Sequence, residues 1–283
     1  MNKQQYLAAP EITEFIFFFK QLLSGQQGSF IQNYVPEKNK SKPFNILSFK
    51  EAFENYFWEG KDYIHSQNTL NELAKKLREA IDSNNQTEAL INSLRVLDWG
   101  GVVVRHPVRW LVNAHENKLL CRKLIQCRSL LDSDSDEGFE LFDGNIELRS
   151  DSATTKLFSL ISNRSVIYDD RVGAAMAAIA RAFLSKSNAH KVPETLNFMR
   201  GSGKRNPSDK IYKFRNKKSG ELHALSNLKT NWILGELAQS EEFMVAFNSS
   251  TNLDSSSISE RMRILEAALF MIGYDITTIE SIG

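Results

Sequence analysis

The stretch Ala153–Val172, "ATTKLFSLISNRSVIYDDRV", decides how this chain is read. A lysine, Lys156, stands where a short apolar helix opens. An aspartate, Asp169, stands just before a second helix, "DRVGAAMAAIARAFL". Ser152 or Thr154 is suited to cap the first helix, which puts Lys156 in its first turn. The amide end of a helix is partly positive, so a cation there is disfavoured, and partial desolvation adds to the effect. An amine that gives up its proton is a nucleophile. "TKLFSLIS" buries Leu157, Phe158, Leu160 and Ile161, "NRS" breaks the helix, and "VIY" is extended. As an N-cap, Asp169 is pinned by backbone N–H groups that favour its ionised form. The plain alternative is helix punctuation: a solvated lysine near a helix start and an aspartate cap.

Helical periodicity continues in both directions. "APEITEFIFFFKQLLSG" starts near Pro10 and stops at Gly25, with proline just inside the start and glycine past the end. "QGSFIQNYVPEKNKSKPFNILS" is loop or short extended pieces. "SFKEAFENYFW", "TLNELAKKLREAIDSN" and "QTEALINSLRVLDWGGV" repeat apolar residues at three and four, the last broken by Gly100–Gly101. "WLVNAHENKLLCRKLIQCRSLL" reads as one long amphipathic helix. "NLKTNWILGELAQ" and "SISERMRILEAALFMIGYD" are helical, the latter opened by a capping box from Ser257 to Glu260. "KIYKFRNKKSGELHAL" alternates, which predicts a short β-hairpin near 210–225. The fold expected is mostly α. It has an N-terminal helical region, 1–130, an acidic connecting segment, 131–152, and a second helical region, 153–283. The two regions are expected to form one compact two-layer unit with a cleft.

Composition bounds the function. The 283 residues are 42% hydrophobic and 24% charged, with a net charge of +1, which suits a globular protein rather than a general polyanion binder. Charge is segregated, however. Residues 131–152 carry eight acids against Arg149 alone, and residues 186–229 carry eleven lysines and arginines against three acids. Two cysteines, Cys121 and Cys127, six apart on a helix, argue against a local disulfide and for a reducing compartment. The N-terminus has no signal-peptide pattern, and "FIFFF" falls far short of the ~20 residues of a membrane span. A cytoplasmic location and no membrane partner are expected.

Several motifs are set aside. "DSDSDEG" has acids at calcium-loop positions 1, 3 and 5, but Glu137 replaces the glycine and Asp143 the final glutamate. "GSGKRN" lacks the first glycine and the hydroxyl residue of a phosphate loop. The five histidines show no metal spacing. No metal and no cofactor is expected. The basic stretch interleaves Arg200, Lys204, Arg205, Lys213 and Arg215 with Tyr212 and Phe214. Cations neutralise phosphates and aromatic rings stack on exposed bases, so nucleic-acid binding is one reading of this stretch and a solvated basic loop is the other.

The order of these features resembles the helix-hairpin-helix DNA glycosylase superfamily, in particular its 8-oxoguanine DNA glycosylase-like branch. "SATTK" is similar to the hairpin-and-lysine motif and "YDDRV" to the segment bearing the essential aspartate. "KRNPSDK" and "LEAALFMIGYD" are similar to segments of bacterial glycosylase-fold proteins. The likeness runs from about residue 150 to the C-terminus. Ser152 and Thr154 stand where the hairpin glycines would be, Arg171 stands for a histidine, and the Lys156–Asp169 spacing is shorter than usual. The resemblance implies a helix-hairpin-helix fold and excision of an oxidised or modified base, with Asp169 and Lys156 catalytic. It also implies DNA contacts from Ser152, Thr154 and Arg171, and protein partners in an anti-phage defence operon. A flipped base, a carboxylate facing an oxocarbenium-like sugar and an amine attacking C1′ make a coherent base-excision mechanism. Water as nucleophile, a non-catalytic DNA-binding module and a helical interaction protein stay open.

Overall fold

The computed structural model describes residues 1–25, 30–36, 42–102, 105–143, 147–216, 220–247 and 256–283. Among them the chain is mostly helical, with one small antiparallel sheet. The helices are α1 (Lys3–Leu7), α2 (Pro10–Ser24), α3 (Phe49–Glu54), α4 (Tyr63–Asp82), α5 (Gln86–Trp99) and α6 (Arg105–Glu116). They continue with α7 (Leu120–Leu131), α8 (Thr154–Ile161), α9 (Asp170–Lys186), α10 (Glu221–Leu237), α11 (Glu241–Phe247) and α12 (Ile258–Ile272). The strands are β1 (Ile31–Tyr34), β2 (Phe44–Ile46) and β3 (Ile279–Ser281), in the order β2-β1-β3. None of the described helices is long and apolar enough to cross a membrane.

Local chemistry accounts for the helix ends. Pro10 occupies the first turn of α2, and Gly25 closes it at φ +67°, its N–H donating to the carbonyls of Gln21 and Leu22. Such a left-handed residue is where glycine carries no Cβ penalty. The capping box of α12 forms: Ser257 Oγ accepts from the Glu260 amide at 3.2 Å, and Glu260 Oε2 accepts from the Ser257 amide at 2.6 Å. The long helix expected over 110–131 is two helices. α6 ends at Glu116, Lys118 takes φ +56°, and α7 begins at Leu120. The expected hairpin near 210–225 is also corrected. Gly220 lies at φ +104° and Glu221 opens α10, whose following residues are buried on nearly every face. An all-round buried helix shows no clean period, so "ELHAL" mimics the alternation of a strand.

The chain forms two compact units. One comprises Met1–Asn2, Ile64–Asp169 and Lys218–Lys229; the other comprises Lys3–Tyr63, Asp170–Lys217 and Thr230–Gly283. These boundaries differ from the consecutive segments 1–130, 131–152 and 153–283. In the first unit, α5 packs on α6, α7 and α8, and α7 packs on α8. In the second, α12 packs on α3 and α9, and α2 packs on α9 and α11. Its core is aromatic: the Phe15 ring meets Phe19, Phe183 and Phe198 at 5.7–6.2 Å between centroids. The buried Gln32 of β1 donates through Nε2 to the carbonyls of Ile272 and Asp275, both at 3.0 Å, and so ties the sheet to the end of α12.

Candidate active site

Lys156 lies in the first turn of α8, as the sequence implies, but this helix is buried on every face. The lysine side chain itself is 8% exposed. Its Nζ donates to the Ser152 carbonyl at 2.9 Å. Its aliphatic stem lies across Gly100, at the end of α5: a Cβ there would stand 2.3 Å from Lys156 Cδ and 2.5 Å from Cε. The glycine leaves the space that the lysine fills.

The helix is capped by neither Ser152 nor Thr154. Asp151 does it: its Oδ1 accepts from the amides of Ala153 and Thr154 at 2.9 and 3.0 Å. The Thr154 hydroxyl oxygen accepts in turn from the Asp151 amide at 2.9 Å. Arg149 Nε pairs with Asp151 Oδ2 at 2.6 Å. Burial by itself would raise the Asp151 carboxyl; the Thr154 amide, Arg149 and the neighbouring His223 outweigh it and hold the carboxyl below the ordinary 3.8. Thr154 is thus buried and engaged in the cap, which corrects its expected role at a phosphate. Ser152 Oγ is buried with no hydrogen-bond partner. At the other end, Arg78 of α4 donates to the Leu160 carbonyl at 2.7 Å, placing a cation at the negative end of α8.

The acidic segment holds the turn that follows. Asp132 Oδ1 accepts from Ser162 Oγ at 2.6 Å, and Arg164 bonds the Asp132 carbonyl and Asp134 at 3.1 and 2.9 Å. These carboxylates serve the chain itself, and among the described residues no three metal-ligating side chains come together.

Residues 165–168 are buried on their way to Asp169. The Thr155 hydroxyl donates to the Tyr168 carbonyl at 3.2 Å. The neighbour of Lys156 is thereby bonded to the neighbour of Asp169. Two side chains on the first part of α10 complete the frame. The His223 ring meets the Tyr168 ring at 5.4 Å and 75°, and its Nδ1 hydrogen-bonds Ser150 Oγ at 2.8 Å. Asn227 Nδ2 donates to Ser165 Oγ at 3.4 Å. Sequence reasoning missed His223, Asn227 and Ser150. Their one signal is the pair of polar residues four apart, His223 and Asn227, in a segment otherwise rich in buried positions.

The second unit contains the expected cations. "GSGKRN" packs at the start of α9: a Cβ on Gly201 would stand 3.1 Å from the Cβ atoms of both Asp170 and Arg205. Arg205 lies 3.7 Å from Asp170, and Lys204 lies 3.9 Å from Asp275 with its Nζ 3.6 Å from the Tyr274 ring centre. Arg200 donates to the Gly201 carbonyl at 3.0 Å, and burial lowers its pKa. Nε of both Arg200 and Arg205 is buried with no hydrogen-bond partner. Lys213 is exposed.

Other expected contacts are placed differently. The Arg171 guanidinium stands 4.2 Å from the Phe270 ring centre, 4.9 Å from Tyr274 and 5.5 Å from Trp58, inside an aromatic cage. Arg215 forms a two-pronged bond with Glu194 at 2.6 and 2.7 Å, so its charge is matched. Tyr212 and Phe214 are buried at 6% and 4% exposure. The Tyr212 hydroxyl donates to the carbonyls of Leu184 and Ala189. Neither ring presents a face to a base, which corrects the expected stacking role; the alternation that exposed them in the sequence reading belongs to no strand here.

Compared with known proteins, the chain matches no family model, no curated protein and no solved structure.

Proposed function

We propose that this chain is a DNA base-excision enzyme, a glycosylase with an amine-dependent abasic-site lyase step, acting on an oxidised or otherwise modified base. One observation carries the proposal. A lysine seated on Gly100 in the first turn of α8 is linked, through the Thr155–Tyr168 bond, to the residue that precedes Asp169. An amine and a carboxylate are the two groups that scission of an N-glycosidic bond uses. Asp169 stabilises the positive charge that develops on the sugar and accepts a proton from the attacking amine. Lys156 Nζ bonds to C1′ as the C1′–N bond breaks and the base leaves with the bonding electrons. Opening of the sugar ring, with C1′–O4′ breaking as O4′ takes up a proton, then gives a Schiff base, from which elimination of the 3′ phosphate cleaves the strand. Arg200, Lys204 and Arg205 supply cations suited to phosphates.

A second possibility has its own support. Lys156 is almost wholly buried and bonded to the Ser152 carbonyl, which suits a module that binds DNA without chemistry. Base release from DNA bearing a panel of oxidised and phage-type modified bases separates the two. Release by the wild type, lost in Asp169→Asn, supports the enzyme, and Lys156→Gln then reports whether the amine or water attacks. No release, with salt-dependent DNA binding retained, replaces the enzyme with the binding module.

A further inference from the structure

We infer that the unit containing α6 and α7 holds a second binding site, for a mononucleotide, in the cleft between those helices. The cleft has a volume of about 580 Å³, within the usual range of small-molecule sites. Its lining includes Trp110, Asn113, Asn117, Arg122, Lys123 and Gln126. It exists because the chain breaks between α6 and α7, with Lys118 at positive φ.

Trp110 is among the residues that line this cleft; it is 6% exposed, and its indole N–H is buried with no hydrogen-bond partner. Leaving a buried donor unmatched costs about 1–3 kcal/mol, which an acceptor on a bound molecule offsets. Arg122 stands in the first turn of α7 and is exposed, with no ion pair among the described residues. A guanidinium at the amide end of a helix suits a phosphate. Lys123, whose Nζ donates to the Glu147 carbonyl, adds a second cation to the same wall. The three amides supply both donors and acceptors. Asn117 spends one donor on the Asn113 carbonyl at 2.7 Å, which leaves its amide oxygen to accept. Mixed donors and acceptors are what the edge of a nucleobase requires, whereas a bare phosphate or an apolar ligand uses neither the amides nor the indole fully. The inference does not depend on base excision.

The test titrates the full chain with the four ribonucleoside and four deoxyribonucleoside monophosphates by calorimetry, with ribose 5-phosphate and inorganic phosphate alongside. The Trp110 indole N–H resonance, identified by its loss in Trp110→Phe, is followed in parallel. At least one mononucleotide is expected to bind below millimolar Kd and to move that resonance. Arg122→Gln should weaken binding about tenfold, and Trp110→Phe about fivefold. Arg122 is a surface residue, so its variant tests the site even if Trp110→Phe is unstable. Absence of mononucleotide binding overturns the inference, as does binding that neither variant weakens. Equal affinity for ribose 5-phosphate or phosphate overturns the recognition of a base.

Discussion

Gly100 and Lys156 share one volume: a single methyl group on the glycine would stand 2.3 Å from the lysine Cδ. Gly100 has φ −78°, which alanine adopts without strain. Gly100→Ala therefore acts on the lysine rather than on the backbone. The flexible stem is expected to give way, so the stability cost stays at about 1 kcal/mol, while Lys156 Nζ is displaced from its seat beside Ser152. If Lys156 is the nucleophile, borohydride trapping of a covalent DNA adduct should fall at least about tenfold. Undiminished trapping would show that the seat on Gly100 has no part in the chemistry.

Thr155 offers a cleaner probe of the Lys156–Asp169 linkage. Thr155→Val keeps the shape and removes the hydroxyl that reaches the Tyr168 carbonyl. Loss of this buried hydrogen bond should cost about 1 kcal/mol in urea unfolding. If Asp169 works where proposed, base release should fall more than the lost stability explains at temperatures where the variant is fully folded. A change in stability alone would make the bond merely structural.

Much of this frame is legible in the sequence where neighbours settle it. Pro10 and Gly25 bound α2, and Ser257 and Glu260 open α12, because those signals act within one turn. The start of α8 was half legible. Lys156 falls in its first turn, but Ser152, Thr154 and Asp151 are all competent caps, and only Arg149 and the Thr154 hydroxyl select Asp151. The seat of Lys156 was not legible: Gly100 reads as a helix stop, and its contact with a residue 56 positions on has no local trace. The same holds for β3, which pairs with β1 from the far end of the chain. Tyr212 and Phe214 misled because alternation with cations describes a binding strand and a buried irregular segment equally well.

Asp151 makes the stability of α8 depend on acid. Its folded pKa lies below 3.8 despite burial, through the Thr154 amide and Arg149. A depressed carboxyl contributes stability that is fully present above the unfolded pKa and is lost as pH falls through the folded value. Asp151→Asn retains an acceptor for the helix amides but loses the charge that pairs with Arg149. It should be less stable than wild type by about 1–2 kcal/mol at neutral pH. The gap should narrow as pH falls below about 4, where the wild-type carboxyl takes up its proton. Thermal melts of both proteins across that range check the sign. A gap that is constant with pH would mean that the charge contributes nothing.

Arg171 and Lys204 both touch the Tyr274 ring, yet they should answer differently to substitution. Arg171 is enclosed by three rings, and the carbonyl of the same residue would lie 1.8 Å from a Cβ on Gly273. Arg171→Lys loses a planar cation stacked on aromatic faces, a loss of about 1–2 kcal/mol in stability, and Gly273→Ala should cost about 3 kcal/mol or more because backbone must move. Neither effect involves a phosphate. Lys204 is exposed, and its contact with Asp275 at 3.9 Å is long. If it meets DNA, Lys204→Gln should leave the melting temperature nearly unchanged and lower the slope of log K against log salt by about one. Arg171→Lys should leave that slope as it is. A reduced slope for Arg171→Lys would assign the caged guanidinium to DNA after all, and an unchanged slope for Lys204→Gln would remove Lys204 from the interface.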